Sequence, residues 1–144
     1  MALWLVRAGS TGDFEQKFLN ENKIYVTWNE LKINLVQLSS KKDLVDQLSI
    51  IEPDAKHKKL LNHASQIWPF AHEMAVGDRV ILPSKLQPVV YIGVIKSEYK
   101  YTDNKDEIFP HSRTVEWIKT PIPRSNFSQD LLYSFGAFMT ICRI

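Results

Sequence analysis

Both ends of the chain read as short strands, and that feature constrains the fold more than any other. Leu3 to Arg7 opens with an apolar run facing both ways, as suits a strand inside a covered sheet, and Phe138 to Arg143 supplies a closing strand. Helical patterns fall between them. A chain that starts and finishes in strands, with helices inserted, favours an α+β fold: a curved sheet or small barrel with helices packed outside. The 144 residues suffice for one compact domain with a real core, and no repeat or linker divides them.

Local patterns fill in the order. Gly9 to Asp13 is a turn, and Asp13 or Thr11 is placed to cap a helix over Phe14 to Asn20, with Phe14 and Phe18 on one face. Lys23 to Trp28 is rich in β-branched and aromatic residues and reads as a strand. Ser39 or Ser40 caps a helix over Lys41 to Leu48. Pro53-Asp54 opens the longest helix, whose apolar face runs Leu60, Leu61, Ala64, Ile67, Ala71 and Met74, with Pro69 expected to kink or restart it at Trp68. Further strands are expected over Arg79 to Leu82, Val89 to Lys96 and Arg113 to Lys119. Gly93 marks a bulge or close packing, and a short helix capped by Ser128 or Asn126 precedes the closing strand.

Composition sets the bounds on function. The formal charge of +2 neither demands nor forbids a polyanion, so any nucleic-acid contact must come from a local basic patch. Cys142 is the single cysteine, which rules out an internal disulfide and reads as a buried thiol. The apolar start ends at Arg7, too short for a signal core or a membrane span, and a reducing cytosol is the simplest compartment.

Catalytic and metal patterns are weak. Pro53-Asp54 upstream of Glu98-Tyr99-Lys100 has the residue types of a metal-dependent nuclease, but a Pro-Asp pair is better explained as a helix start. His57, His63 and His72 are not spaced to surround one ion. His72-Glu73 lacks a second histidine, and Ser10, Ser84, Gly9 and Gly12 have no nucleophile or phosphate-loop context. The chain therefore reads as a protein without a catalytic site or cofactor.

Aromatic and basic residues say more. Trp28 ends a strand and Trp68 stands at the proline, so the two rings either fill core or face each other across a planar base. Trp4 and Trp117 read as core. Lys56, Lys58 and Lys59 form a basic run at the long helix, and Lys85 and Arg124 are further phosphate candidates; the other reading of such charges is a solvated face.

Specific strings carry a resemblance. Leu3-Trp4-Leu5-Val6-Arg7-Ala8-Gly9 with Gly12-Asp13-Phe14-Glu15, then Val26-Thr27-Trp28, Gln66-Ile67-Trp68-Pro69-Phe70 and Val76-Gly77-Asp78-Arg79-Val80-Ile81-Leu82-Pro83, are similar to the N-terminal domain of Mrr-like restriction proteins. So is the run from Ile122-Pro123-Arg124-Ser125 through Gln129 to Ser134 and on to Gly136-Ala137-Phe138. Met74 to Asp78 before a strand, with Ser84 after it, resembles EVE and YTH modules of the PUA-like superfamily. The resemblance implies a pseudobarrel whose pocket takes a flipped, often methylated base. Trp28 and Trp68 would be its cage walls, with Arg7, Gly9, Gln66 and Ser84 lining it or reading the base edge. Pro69 stands where that pattern has a basic residue. The implied role is non-catalytic recognition of modified DNA beside a nuclease domain or subunit in a restriction system. An RNA-binding PUA-like domain and a protein-interaction domain with structural tryptophans are the alternatives.

Overall fold

The computed structural model describes residues 1–118, 120–135 and 139–144. Its elements run β1 (Leu3–Val6), α1 (Glu15–Glu21), β2 (Lys23–Tyr25), a 3-10 turn (Leu35–Gln37), α2 (Lys41–Ile51), α3 (His57–His72), β3 (Arg79–Pro83) and β4 (Val89–Ile95). There follow β5 (Lys100–Tyr101), β6 (His111–Trp117), β7 (Ile122–Pro123), a second 3-10 turn (Arg124–Asn126), α4 (Gln129–Phe135) and β8 (Ile141–Arg143). The class is α+β with a curled sheet. Contacts gather into two compact units, Met1–Ile24 with Ala75–Glu98 and Arg113–Ile144, and Tyr25–Met74 with Tyr99–Ser112. The chain passes from one to the other four times, so no single linker exists for the sequence to display.

The first unit carries the curled sheet, in the order β2-β6-β4-β3-β1-β8, with β7 pairing β4. β1 and β3 run parallel; β3–β4, β4–β6 and β1–β8 are antiparallel. The register sets Trp4, Val80, Gly93 and Trp117 side by side across four strands, and so on one face. A methyl group at Gly93 would run into Val115 and the Trp117 ring, so the glycine serves close packing and not a bulge. On that face the Trp117 indole donates to the Phe18 carbonyl of α1 at 3.1 Å. The opposite face buries Leu5, Ile81 and Val90 beneath Leu3, Ile92, Phe127 and Leu132, the last from α4. Both faces of β1 are therefore covered, as its apolar run demands.

Two local expectations in this unit change. Neither Asp13 nor Thr11 caps α1: the N-cap is Phe14, without a side-chain bond, because the Glu15 N–H is taken by the Gly12 carbonyl at 3.2 Å. Gly12 sits at φ 78°, where a side chain would be strained, which brings that carbonyl round. Ser128, by contrast, accepts from the Leu131 N–H at the start of α4. Cys142 is half-buried, not fully buried, and burial pushes its thiol up while Arg7 pulls the other way. Phe138 and Lys119, expected at strand ends, lie outside the described residues, as do Gly136 and Ala137.

The second unit packs α2 against α3. Ser40 caps α2 through the Asp43 N–H at 3.3 Å, and Leu44, Val45 and Leu48 are buried. α3 begins at His57, three residues after Asp54, because Pro53 to Ala55 are spent on a turn closed by the Ala55 N–H on the Glu52 carbonyl. Pro69 does not break the helix. It removes one rung of the ladder, yet the chain stays helical to His72, and the Pro69 carbonyl then accepts from both Glu73 and Met74. The buried face is Leu60, Ala64, Ile67 and Phe70, with Gln66; Leu61 is turned to solvent at 44% exposure. His111 is wholly buried between the Leu31 carbonyl at 2.6 Å and the Tyr99 hydroxyl at 2.6 Å, and burial lowers its pKa to about 4, against the pull of the Leu31 bond.

Candidate functional site

β2 stops at Tyr25 and does not continue to Trp28, because Trp28 to Leu31 form a turn closed by the Leu31 N–H on the Trp28 carbonyl. That turn leaves Trp28 half-buried over a cavity of about 290 Å³ in the second unit. This is near the small end of ligand pockets, about 300–1,000 Å³. Three segments wall it: the turn with Thr27, Trp28, Asn29, Glu30 and Leu31, the end of α2 with Leu48, Ile51 and Glu52, and α3 with Leu60 and His63. Leu31, Leu48 and Leu60 are buried and make an apolar floor, while Asn29 and Glu30 are exposed at the rim.

One hydrogen bond orients the indole. Trp28 Nε1 donates to His63 Nδ1 at 3.2 Å, with the rings edge-to-face at 5.2 Å and 67°. The bond needs an unprotonated Nδ1, so the remaining imidazole proton sits on Nε2. Burial lowers the His63 pKa, Lys59 lowers it further, and Glu52 opposes both. Glu52 accepts from Lys59 Nζ at 2.8 Å, and that bond holds its carboxyl below the usual range. With its N–H already used, the indole has only its face to offer a ligand.

Trp68 belongs to different surroundings. It stacks on His72, ring centroids 3.7 Å apart at 14°, and His72 Nε2 lies 2.9 Å from the Leu35 carbonyl. His63 and His72 are nine residues apart on α3, which is about half a turn of azimuth and about 13 Å of rise. Each tryptophan therefore has its own histidine on its own side of the helix. The cavity at Trp28 is not lined by Trp68, and the expected cage of two facing indoles is not formed.

Residues 4–137 match the model of a family described as a domain of unknown function (DUF8426). The chain belongs to this family. No curated protein matches the sequence.

In this family member the remaining expected site residues are engaged as follows. Ser84 is buried and donates to Glu15 Oε1 at 2.7 Å while accepting from the Leu86 and Gln87 N–H groups, so its hydroxyl organises a turn and is not offered to a base edge. Gln66 is buried in α3 and donates to Asn62 at 2.7 Å. Arg7 is buried, donates through Nε to the Met139 carbonyl at 3.3 Å, and has its pKa lowered by burial and by Arg124, with Cys142 opposing. Gly9, at φ 84°, fits a backbone that a side chain would strain, with the Phe14 ring 3.1 Å from where a Cβ would stand. Arg7, Gly9, Ser84, Lys85 and Arg124 belong to the first unit; Trp28, Trp68, Gln66 and Lys56, Lys58 and Lys59 belong to the second.

Of the phosphate candidates, Lys59 is held by Glu52, whereas Lys56 and Lys58 project from the start of α3 into solvent. Lys85 is exposed, its backbone N–H donating to Glu15 Oε2 at 2.7 Å, and Arg124 is half-buried. Sequence reading missed Glu30, Glu52 and His63 as cavity walls. Of these, only His63 had a visible signal, as a histidine at an odd place in a basic helix. Among the described residues no group of three His, Cys, Asp or Glu side chains converges to hold a metal ion, and no helix is long and apolar enough to cross a membrane.

Proposed function

We propose that the chain is a nucleic-acid-reading module that takes an extruded, modified base into the Trp28 cavity and performs no chemistry on it. The observation that carries this reading is a half-buried indole with its N–H tied off and its face over a cavity with an apolar floor and a polar rim. Stacking on such a face contributes about 1–3 kcal/mol per base, comparable to the few kcal/mol that unstacking costs. A methyl group packed on Leu31, Leu48 or Leu60 adds about 0.8 kcal/mol. Lys56 and Lys58, at the start of α3, would supply phosphate contacts that add affinity without sequence information.

DNA is the proposed ligand, and the fold proposed for this reading is the PUA-like one. The Mrr-like proteins that the sequence resembles join such a module to a nuclease, and a nuclease domain or subunit is the proposed effector. The reading is tested by anisotropy titrations of duplex DNA and RNA, each carrying one methylated or one unmodified base, at low and high salt. Preferential binding of methylated DNA that survives salt is expected. Preference for RNA would move the function to RNA recognition, and equal binding to everything, lost in salt, would leave only a basic surface. Absence of binding to any nucleic acid would refute base reading.

A further inference from the structure

We infer that His63 is the positioning residue of the Trp28 cavity, and that the cavity holds a base only while this histidine is neutral. This rests on the base-reading function proposed above and names what regulates that site. Both residues line the cavity, and the hydrogen bond that orients the indole runs from Trp28 Nε1 to His63 Nδ1 at 3.2 Å. The rings meet edge-to-face at 67°, so no parallel stacking between them holds the indole once that bond is gone. Nε2 carries hydrogen in the tautomer this bond selects, and carries it still after protonation. Acid therefore alters Nδ1 alone, which turns from acceptor to donor and faces a second N–H. The side chains of Thr27 and Asn29 keep their donor and acceptor character, and Glu30 and Glu52 accept, so the rest of the polar wall is unchanged by that proton.

The charged groups around His63 are Lys59 one turn back on α3, Glu52 at the end of α2 and Glu30 on the Trp28 turn. Burial and Lys59 favour the neutral ring, and Glu52, itself held by Lys59 at 2.8 Å, opposes them. The ring is therefore neutral near pH 7 and takes its proton below 6.5. Acid should then act on this site in the opposite sense to its action on a plain basic surface. Binding driven by phosphate contacts strengthens as a protein gains positive charge. Binding that needs neutral His63 weakens with the neutral fraction, about tenfold for each pH unit below the pKa.

The test titrates a duplex carrying one methylated base opposite an abasic site, by anisotropy at fixed salt. Binding is measured on either side of the His63 midpoint, read beforehand from its imidazole NMR signals, with folding verified by circular dichroism at each pH. Wild-type protein should bind more weakly on the acid side, by about tenfold per pH unit. His63→Asn puts an amide oxygen on Cγ, where Nδ1 stands, and does not titrate. It should bind close to wild type above the midpoint and keep that affinity below it. Wild-type binding that holds or strengthens in acid, while Trp28→Ala weakens it, would overturn the positioning inference and leave base reading standing. So would a fall in acid that persists in His63→Asn. Binding unaltered by Trp28→Ala would overturn base reading itself, and the inference with it.

Discussion

Trp4 and Trp28 each give an indole N–H to one side chain, and they show how the same bond can build structure or prepare a site. Trp4 is 2% exposed and donates to Asp78 Oδ2 at 3.0 Å. The same carboxylate gathers the Ala2 and Ala75 N–H groups, each at 3.1 Å. The Trp4–Asp78 bond is buried and every group in the cluster is satisfied, with Ala2 and Ala75 at its more accessible margin. Trp28 is half-buried and donates to one neutral imidazole, above a cavity open to ligand. The first arrangement locks β1 to the turn before β3. The second fixes a ring's orientation and leaves its face bare. A buried polar cluster is costly to break because its orphaned members have no water to turn to, whereas an open one gives up little stability when altered.

Breaking the sealed side should have the largest effect. Asp78→Ala orphans the buried Trp4 N–H and removes the acceptor of two more accessible N–H groups, so a loss of about 3 kcal/mol is expected in chemical denaturation. Retention of near-wild-type stability would show that Trp4 is not held as described. Ser84→Ala comes next: it leaves the buried Glu15 carboxylate with the Lys85 N–H and strips two turn N–H groups of their acceptor, for about 2 kcal/mol. Its base binding should be unchanged. Weaker binding at full stability would restore Ser84 as an edge reader.

Acid should separate the two indoles at smaller energy. Burial disfavours charge on Asp78, but bonds from Trp4, Ala2 and Ala75, with the N-terminal charge, outweigh it and hold the carboxyl below 3.8. A depressed carboxyl pKa contributes stability above the unfolded value, and that stability is lost as pH falls through the folded one. His63 is depressed from 6.5 as a base, so its neutral form is favoured by folding, and that contribution is also lost as pH falls, beginning near 6.5. In NMR the Trp28 indole N–H should therefore exchange faster or shift on acidification before the Trp4 signal moves. Simultaneous change of both would mean that His63 does not hold Trp28.

The sealed side was the more legible in sequence. An apolar run at Leu3 to Val6, a Val-Gly-Asp turn and alternation through β4 and β6 each announce themselves within a few residues. Ser40 did so as a cap. Ser84 with Glu15, and the walls of the Trp28 cavity, did not. Glu15 and Ser84 meet across 69 residues, and the cavity draws on a turn, a helix end and a helix middle that share no periodicity. Pro69 misled in the other direction. Its local rule allows a helix to restart there, but the helix runs on to His72, with Ile67 and Phe70 buried on either side of the proline. That continuation stacks Trp68 on His72 and removes it from the cage expected with Trp28.

The two tryptophans of the second unit thus give the most direct test of the account. Titrating a duplex with one methylated base opposite an abasic site compares Trp28→Ala with Trp68→Ala, with folding of each verified by circular dichroism. Trp28→Ala should weaken binding about tenfold or more, the loss of one stacking platform, while Trp68→Ala should stay close to wild type. Equal loss in both variants would restore a two-walled cage, and no loss in Trp28→Ala would contradict the account at its centre.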